Sequence, residues 1–191
     1  TTLPGAPPEA AVREATPEGE AATARAAGAA GATYTLSSLA TTGVTALAQA
    51  VPDTTRWFQL YVFRDRGVTR EIVAAAVEHG YEALVLTVDM PVLGTRERDL
   101  RTGFVVGHAT AIPMVNAAGG EGVLSLGEVV DLIDPSLTWS DVEAFAAQSG
   151  LPVIVKGVLR PEDARRAAEH GAAGVVVSNH GGRQLDTVLS G

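Results

Sequence analysis

One pattern constrains this chain more than any other. Three times, an alanine-rich helical stretch runs into a glycine and then into a short apolar run. Pro17 to Gly31 leads into Ala32-Thr-Tyr-Thr-Leu-Ser-Ser38, Val68 to Gly80 into Ala83-Leu-Val-Leu-Thr-Val-Asp89, and Pro161 to Gly171 into Gly174-Val-Val-Val-Ser-Asn-His180. Two of these helical stretches end in the same Glu-His-Gly triplet, at 78–80 and 169–171. A glycine just past a helix end supplies a left-handed cap, and a basic residue before it complements the helix dipole. Continuous apolar runs with β-branched residues suit strands covered on both faces. Trp57–Val62 and Leu151–Lys156 are further strand candidates, preceded by helices at 45–50 and 140–149.

Helix and strand therefore alternate, which predicts an α/β fold on a parallel sheet. The expected architecture is a (β/α)8 TIM barrel, incomplete in this chain at about five to six of the eight units, in one domain over residues 1–191. An open doubly wound sheet is the rival, because strand order is not written in a sequence. A further strand near Thr1–Pro8 is poor, since that stretch carries three prolines and a glycine. Residues 101–138 show no clean period and read as a long loop, either a lid over the strand ends or a flexible insertion.

Composition removes several function classes. Fourteen Lys+Arg stand against 22 Asp+Glu, a net charge of −8. That excess opposes nucleic-acid backbone binding and a polybasic membrane anchor. No cysteine is present, so disulfides, thiolate metal sites and a Cys nucleophile are excluded. The absence of cysteine is compatible with a reducing, cytoplasmic compartment. No run approaches the roughly 20 apolar residues of a membrane span.

Side chains two apart on a strand share a face. Gln59 with Tyr61, Thr87 with Asp89, and Ser178 with His180 are polar pairs at that spacing, each ending a strand candidate; Lys156 ends a fourth and Ser37 closes the first. Ligands of parallel barrels and open α/β sheets bind at the carboxyl ends of strands. These residues therefore predict one polar site on one rim. His79 and His170 read instead as helix C-terminal residues, and His108 as a solvated loop residue. The alternating run Arg96-Glu-Arg-Asp99 with Arg101 reads, by itself, as a charged surface.

Ser178-Asn-His-Gly-Gly-Arg-Gln-Leu-Asp186 resembles the signature of the FMN-dependent 2-hydroxy acid oxidases and dehydrogenases, the family of glycolate oxidase, lactate oxidase, mandelate dehydrogenase and the flavin domain of flavocytochrome b2. The likeness continues through Pro152-Val-Ile-Val-Lys-Gly157, Leu86-Thr-Val-Asp89, Trp57-Phe-Gln-Leu-Tyr61, Thr35-Leu-Ser-Ser38 and Pro17-Glu-Gly-Glu20. The resemblance implies a TIM barrel with FMN at the strand carboxyl ends. It implies cofactor contacts from Ser37, Gln59, Thr87, Lys156 and Ser178. It implies substrate contacts from Tyr61, Arg96, His180 and Arg183, with His180 as catalytic base, Asp89 orienting it and Tyr61 bonding the substrate hydroxyl. The implied partners are a small (S)-2-hydroxy acid and an electron acceptor, either oxygen or a redox carrier. A homotetramer is implied for the full-length protein.

Some positions depart from the family pattern. Pro8-Glu9-Ala10 stands where Pro-Thr-Ala is usual, and Leu39 stands where Trp is frequent. The last two strands, whose Asp-Gly-Gly and Gly-Arg segments hold the FMN phosphate, have no counterpart here, nor does the N-terminal substrate-binding Tyr. The alternative is thus a truncated, inactive barrel fragment acting at most as an interaction module. An isopentenyl-diphosphate isomerase or IMP-dehydrogenase relative is a third reading; the latter calls for a catalytic Cys, and the Ser-Asn-His-Gly-Gly-Arg run speaks against both.

Overall fold

The computed structural model describes residues 18–91, 93–102, 112–120 and 124–191. Strands β1 (Tyr34–Ser37), β2 (Arg56–Leu60), β3 (Ala83–Thr87), β4 (Val153–Val158) and β5 (Gly174–Val177) form one sheet. Every pairing is parallel, and the strands lie side by side in chain order. That order separates the two expected architectures. A doubly wound sheet reverses its strand order at a switch point. An unbroken sequential order is that of a (β/α)8 barrel, and the described residues supply five consecutive strands of one.

Helix α1 (Glu20–Ala29) precedes β1, α2 (Val44–Ala50) follows it, and α3 (Arg66–Glu78) follows β2. Helices α4 (Glu97–Thr102), α5 (Pro113–Ala117), α6 (Leu126–Asp131) and α7 (Trp139–Ser149) lie between β3 and β4, and α8 (Pro161–Glu169) joins β4 to β5. The α3 helix starts where Asp65 accepts hydrogen bonds from the N–H groups of Gly67 (2.7 Å) and Val68 (3.2 Å). Its buried residues Thr69, Ile72, Val73 and Ala76 recur at helical spacing. His79 and His170 cap α3 and α8, as their sequence context predicts.

Register sorts the strand residues onto two faces. Leu36, Phe58, Leu84 and Val153 are aligned across four strands, with Leu60, Leu86 and Val155 two residues further on. All seven are at most 1% exposed and belong to the same core cluster as Ile72, Val73 and Ala76 of α3. Burying each such side chain is worth roughly 1.5–3 kcal/mol. The opposite face carries Ser37, Gln59, Val85 and Ile154 in register, then Thr87 beside Lys156. Apolar alternation thus anchors one face to the helices and leaves the polar residues of the other at the strands' carboxyl ends.

The far end of the sheet is built for stability. Arg56 opens β2 and donates to the carbonyl oxygens of Thr54 (2.7 Å), Pro52 (3.1 Å) and His79 (3.3 Å). Its guanidinium also lies 5.6 Å from the centre of the Tyr81 ring.

Three expectations change. Residues 101–138 are not one loop: they take in the end of α4 and all of α5 and α6, and Ile133 bridges antiparallel to Phe63. Helices of five or six residues span less than two turns, so no apolar period could reveal them. Strand β4 runs past Lys156 to Val158, with a register shift between the two. Strand β5 ends at Val177, so Ser178 and His180 are held by a turn rather than by strand alternation. The Thr1–Pro8 segment, Pro8-Glu9-Ala10 and His108 lie outside the described residues.

Candidate active site

The carboxyl ends of β1, β2 and β3 are joined by a relay of side chains. The Ser37 hydroxyl donates to Gln59 Oε1 (3.0 Å), and Gln59 Nε2 donates to Thr87 Oγ1 (3.0 Å). These bonds fix which way the amide faces. Ser37 Oγ also accepts from the Leu39 N–H (3.0 Å), and the Ser38 N–H donates to Gln59 Oε1 (3.2 Å). Ser38, fully buried, sends its hydroxyl to the Gln59 carbonyl (2.8 Å) and accepts from the Tyr61 N–H (3.0 Å). Sequence reasoning passed over Ser38; the only signal was its place beside Ser37. Lys156, on β4, pairs in register with Thr87 and extends this polar row to a fourth strand.

Asp89 and His180 come from the segments after β3 and β5. His180 Nδ1 lies 2.8 Å from Asp89 Oδ1, and both side chains are largely buried. Asp89 Oδ2 is buried with no hydrogen-bond partner among the described residues. His180 has a positive φ of 58° and opens the short 3-10 turn His180–Gly182. Its N–H donates to Ser178 Oγ (3.0 Å), and Asn179 Oδ1 closes the turn by accepting from the Gly182 N–H (3.1 Å). Positive φ is uncommon for a non-glycine residue and costs energy that the surrounding turn must offset. Here it places the imidazole against the carboxylate. Nδ1 is the ring nitrogen engaged with the carboxylate.

Of the remaining predicted residues, Tyr61 is buried directly after β2. Arg96 lies just before α4, where its Nη2 donates to Gln184 Oε1 (3.4 Å). Arg183 follows the 3-10 turn and is exposed. The structure therefore links Ser37, Gln59 and Thr87 in one network, aligns Lys156 with it, and joins Asp89, Ser178 and His180 in a second. Sequence reasoning also missed Gly94, Gly157 and Gln184, which pack against these residues from other elements. A cleft of about 380 Å³ opens beside Asp89, with Gly94, Gly157, Ser178 and Gln184 in its wall. Among the described residues no group of His, Cys, Asp and Glu is arranged to hold a metal ion, and no helix is long and apolar enough to cross a membrane.

Comparison with known proteins identifies the family and the fold. The chain matches the profile of the FMN-dependent dehydrogenases over residues 4–191. It is 46% identical to glycolate oxidase of Spinacia oleracea over 189 residues, covering 95% of this chain and 50% of that protein. It is 45% identical to L-lactate oxidase of Nostoc sp. over 185 residues, 91% of this chain and 50% of that protein. Among solved structures, a mandelate oxidase variant with (S)-mandelic acid superimposes with a TM-score of 0.79 at 41% identity, over 98% of this chain and 50% of that one. The chain spans about half the length of the curated relatives it matches. A sequential parallel barrel sheet and a profile match along nearly the whole chain agree: the chain belongs to the FMN-dependent dehydrogenase family.

Proposed function

We propose that these five units form the substrate-activating part of an FMN-dependent oxidase or dehydrogenase that converts an (S)-2-hydroxy acid to the 2-oxo acid. The carrying observation is the 2.8 Å contact between His180 Nδ1 and Asp89 Oδ1, made across 91 residues of chain at the strands' carboxyl ends. The rim's donor set suits the isoalloxazine of FMN. The Gln59 amide, the Thr87 hydroxyl and the Lys156 ammonium share one face, and the flavin carbonyls, N1 and N5 are acceptors. Ser37, Gln59, Thr87, Lys156 and Ser178 would hold it. Bound there, FMN would supply the acceptor for the two electrons and one of the two protons released as the alcohol carbon becomes a carbonyl, the other proton going to His180.

The chain's own residues supply the rest. His180 accepts a proton at Nε2, and the Asp89 carboxylate at Nδ1 stabilises the imidazolium so formed. Lys156 places positive charge where negative charge grows. Arg96 and Arg183 take the substrate carboxylate, to which a guanidinium presents a planar fork of donors. Tyr61 bonds the substrate hydroxyl. Oxygen or a redox carrier is the electron acceptor.

The test uses the full-length protein loaded with FMN. Anaerobic lactate, glycolate or mandelate is expected to bleach the flavin absorbance. His180→Gln is expected to slow that bleaching about a hundredfold or more while flavin stays bound. Reduction at the wild-type rate in this variant would defeat the assignment.

A further inference from the structure

The segment after β3 and the turn after β5 meet across 90 residues of chain, and they meet closely. A Cβ on Gly94 would lie 2.4 Å from the Arg183 carbonyl oxygen, 2.6 Å from that of Gln184 and 2.9 Å from the Gln184 Cα. All three are backbone atoms, which cannot swing aside, so the approach requires glycine. The Gln184 side chain then closes the junction. Its Oε1 accepts from the Gly94 N–H (3.2 Å) and from Arg96 Nη2 (3.4 Å), and its Nε2 meets the Met90 sulfur. Each side of the junction carries one of the two arginines: Arg96 lies two residues after Gly94, and Arg183 directly precedes Gln184.

We propose that Gln184, seated against Gly94, is a positioning residue that holds the Arg96 guanidinium at a fixed offset from the Arg183 segment. This rests on the reading above, in which both arginines receive the substrate carboxylate. Arginine has many rotamers, and ordering them at the moment of binding weakens affinity. A guanidinium already held through Nη2 bears that loss on folding. Gln184 thereby acts on substrate affinity through Arg96, with no contact to the reacting atoms.

Two readouts in the full-length, FMN-loaded protein test this. The first needs no substrate. Gln184→Leu removes the acceptor of the Gly94 N–H and is expected to speed amide hydrogen exchange at Gly94 about tenfold or more, whereas Gln184→Glu keeps the acceptor and the protection. The second is substrate affinity from anaerobic flavin reduction. Gln184→Leu is expected to raise the substrate Kd about tenfold, leave the limiting reduction rate within about twofold, and add nothing further in an Arg96→Leu background. If Gln184→Leu does not yield folded protein, Gly94→Ala, which forces the two backbones apart, must show the same Arg96-dependent loss. Unchanged Gly94 exchange, or a loss of affinity that adds fully to that of Arg96→Leu, would overturn the proposal. Failure of the wild-type flavin to be reduced by any 2-hydroxy acid would instead overturn the proposed reaction, and the exchange measurement would still decide whether the clasp exists.

Discussion

Gly157 follows Lys156 at a φ of 106°, where the register of β4 slips. A Cβ there would stand 2.6 Å from Asp89 Cγ and 2.7 Å from Asp89 Cβ. Alanine is therefore opposed twice, by backbone conformation and by the carboxylate that meets His180. Gly157→Ala is expected to push Asp89 away from Nδ1, to cost about 1–3 kcal/mol of stability, and to slow flavin reduction in the full-length protein about tenfold or more. Thermal melts and anaerobic stopped-flow traces measure both; a reduction rate equal to wild type would show that Asp89 placement does not matter to the reaction. The residues of the Asp89–His180 pair are legible in the sequence because each sits in a recognisable run of residue types. Gly157 is harder to read, because a bulge is a relation between paired strands and no local pattern displays it. The same holds for Gln184, whose partner Gly94 is 90 positions away.

Among the elements, long helices are legible and short ones are not. The apolar spacing of α3 and the Pro161 start of α8 are visible in the chain, whereas α5 and α6 offer less than two turns of pattern. Helix α6 leaves one trace, the reciprocal bonds between Ser125 and Glu128 at its start. Helix α1 shows how an element can be fastened by one residue. Glu20 opens it and is only 3% exposed. Its carboxylate accepts from the Thr42 hydroxyl (2.6 Å), the Thr41 N–H (2.7 Å) and the Thr41 hydroxyl (3.0 Å), tying α1 to the segment after Ser37 and Ser38. Burial works against ionisation of Glu20, but these bonds outweigh it and hold its pKa below the ordinary carboxylate value. A depressed folded pKa means that the stabilisation is present above the unfolded pKa of about 4.3 and is lost as pH falls through the folded value. Glu20→Gln is expected to lower stability at pH 7 by about 1–3 kcal/mol and to flatten the decline below pH 4.5. Denaturant titrations from pH 3 to 7 check this; an unchanged acid limb would assign the decline to other carboxylates.

At the scale of the molecule, β5 forms an edge of the sheet, and Val175, Val176 and Val177 are 37%, 39% and 58% exposed. Such an edge invites pairing with another chain. The 191-residue polypeptide expressed alone is expected to self-associate, and Val176→Lys is expected to reduce the association. Light scattering across a concentration series reads both, and a monodisperse monomer would contradict the expectation. Strand number and parallel alternation were legible from periodicity, whereas the sequential strand order needed coordinates, because nothing in one strand names its neighbour. That order has a consequence for synthesis. Each strand can dock on the one before it as the polypeptide leaves the ribosome, yet Asp89 has to wait through all of β4 for His180 to arrive. A nascent chain can thus carry four settled strands and still have no assembled Asp89–His180 pair, until translation has carried the 180–182 turn clear of the exit tunnel.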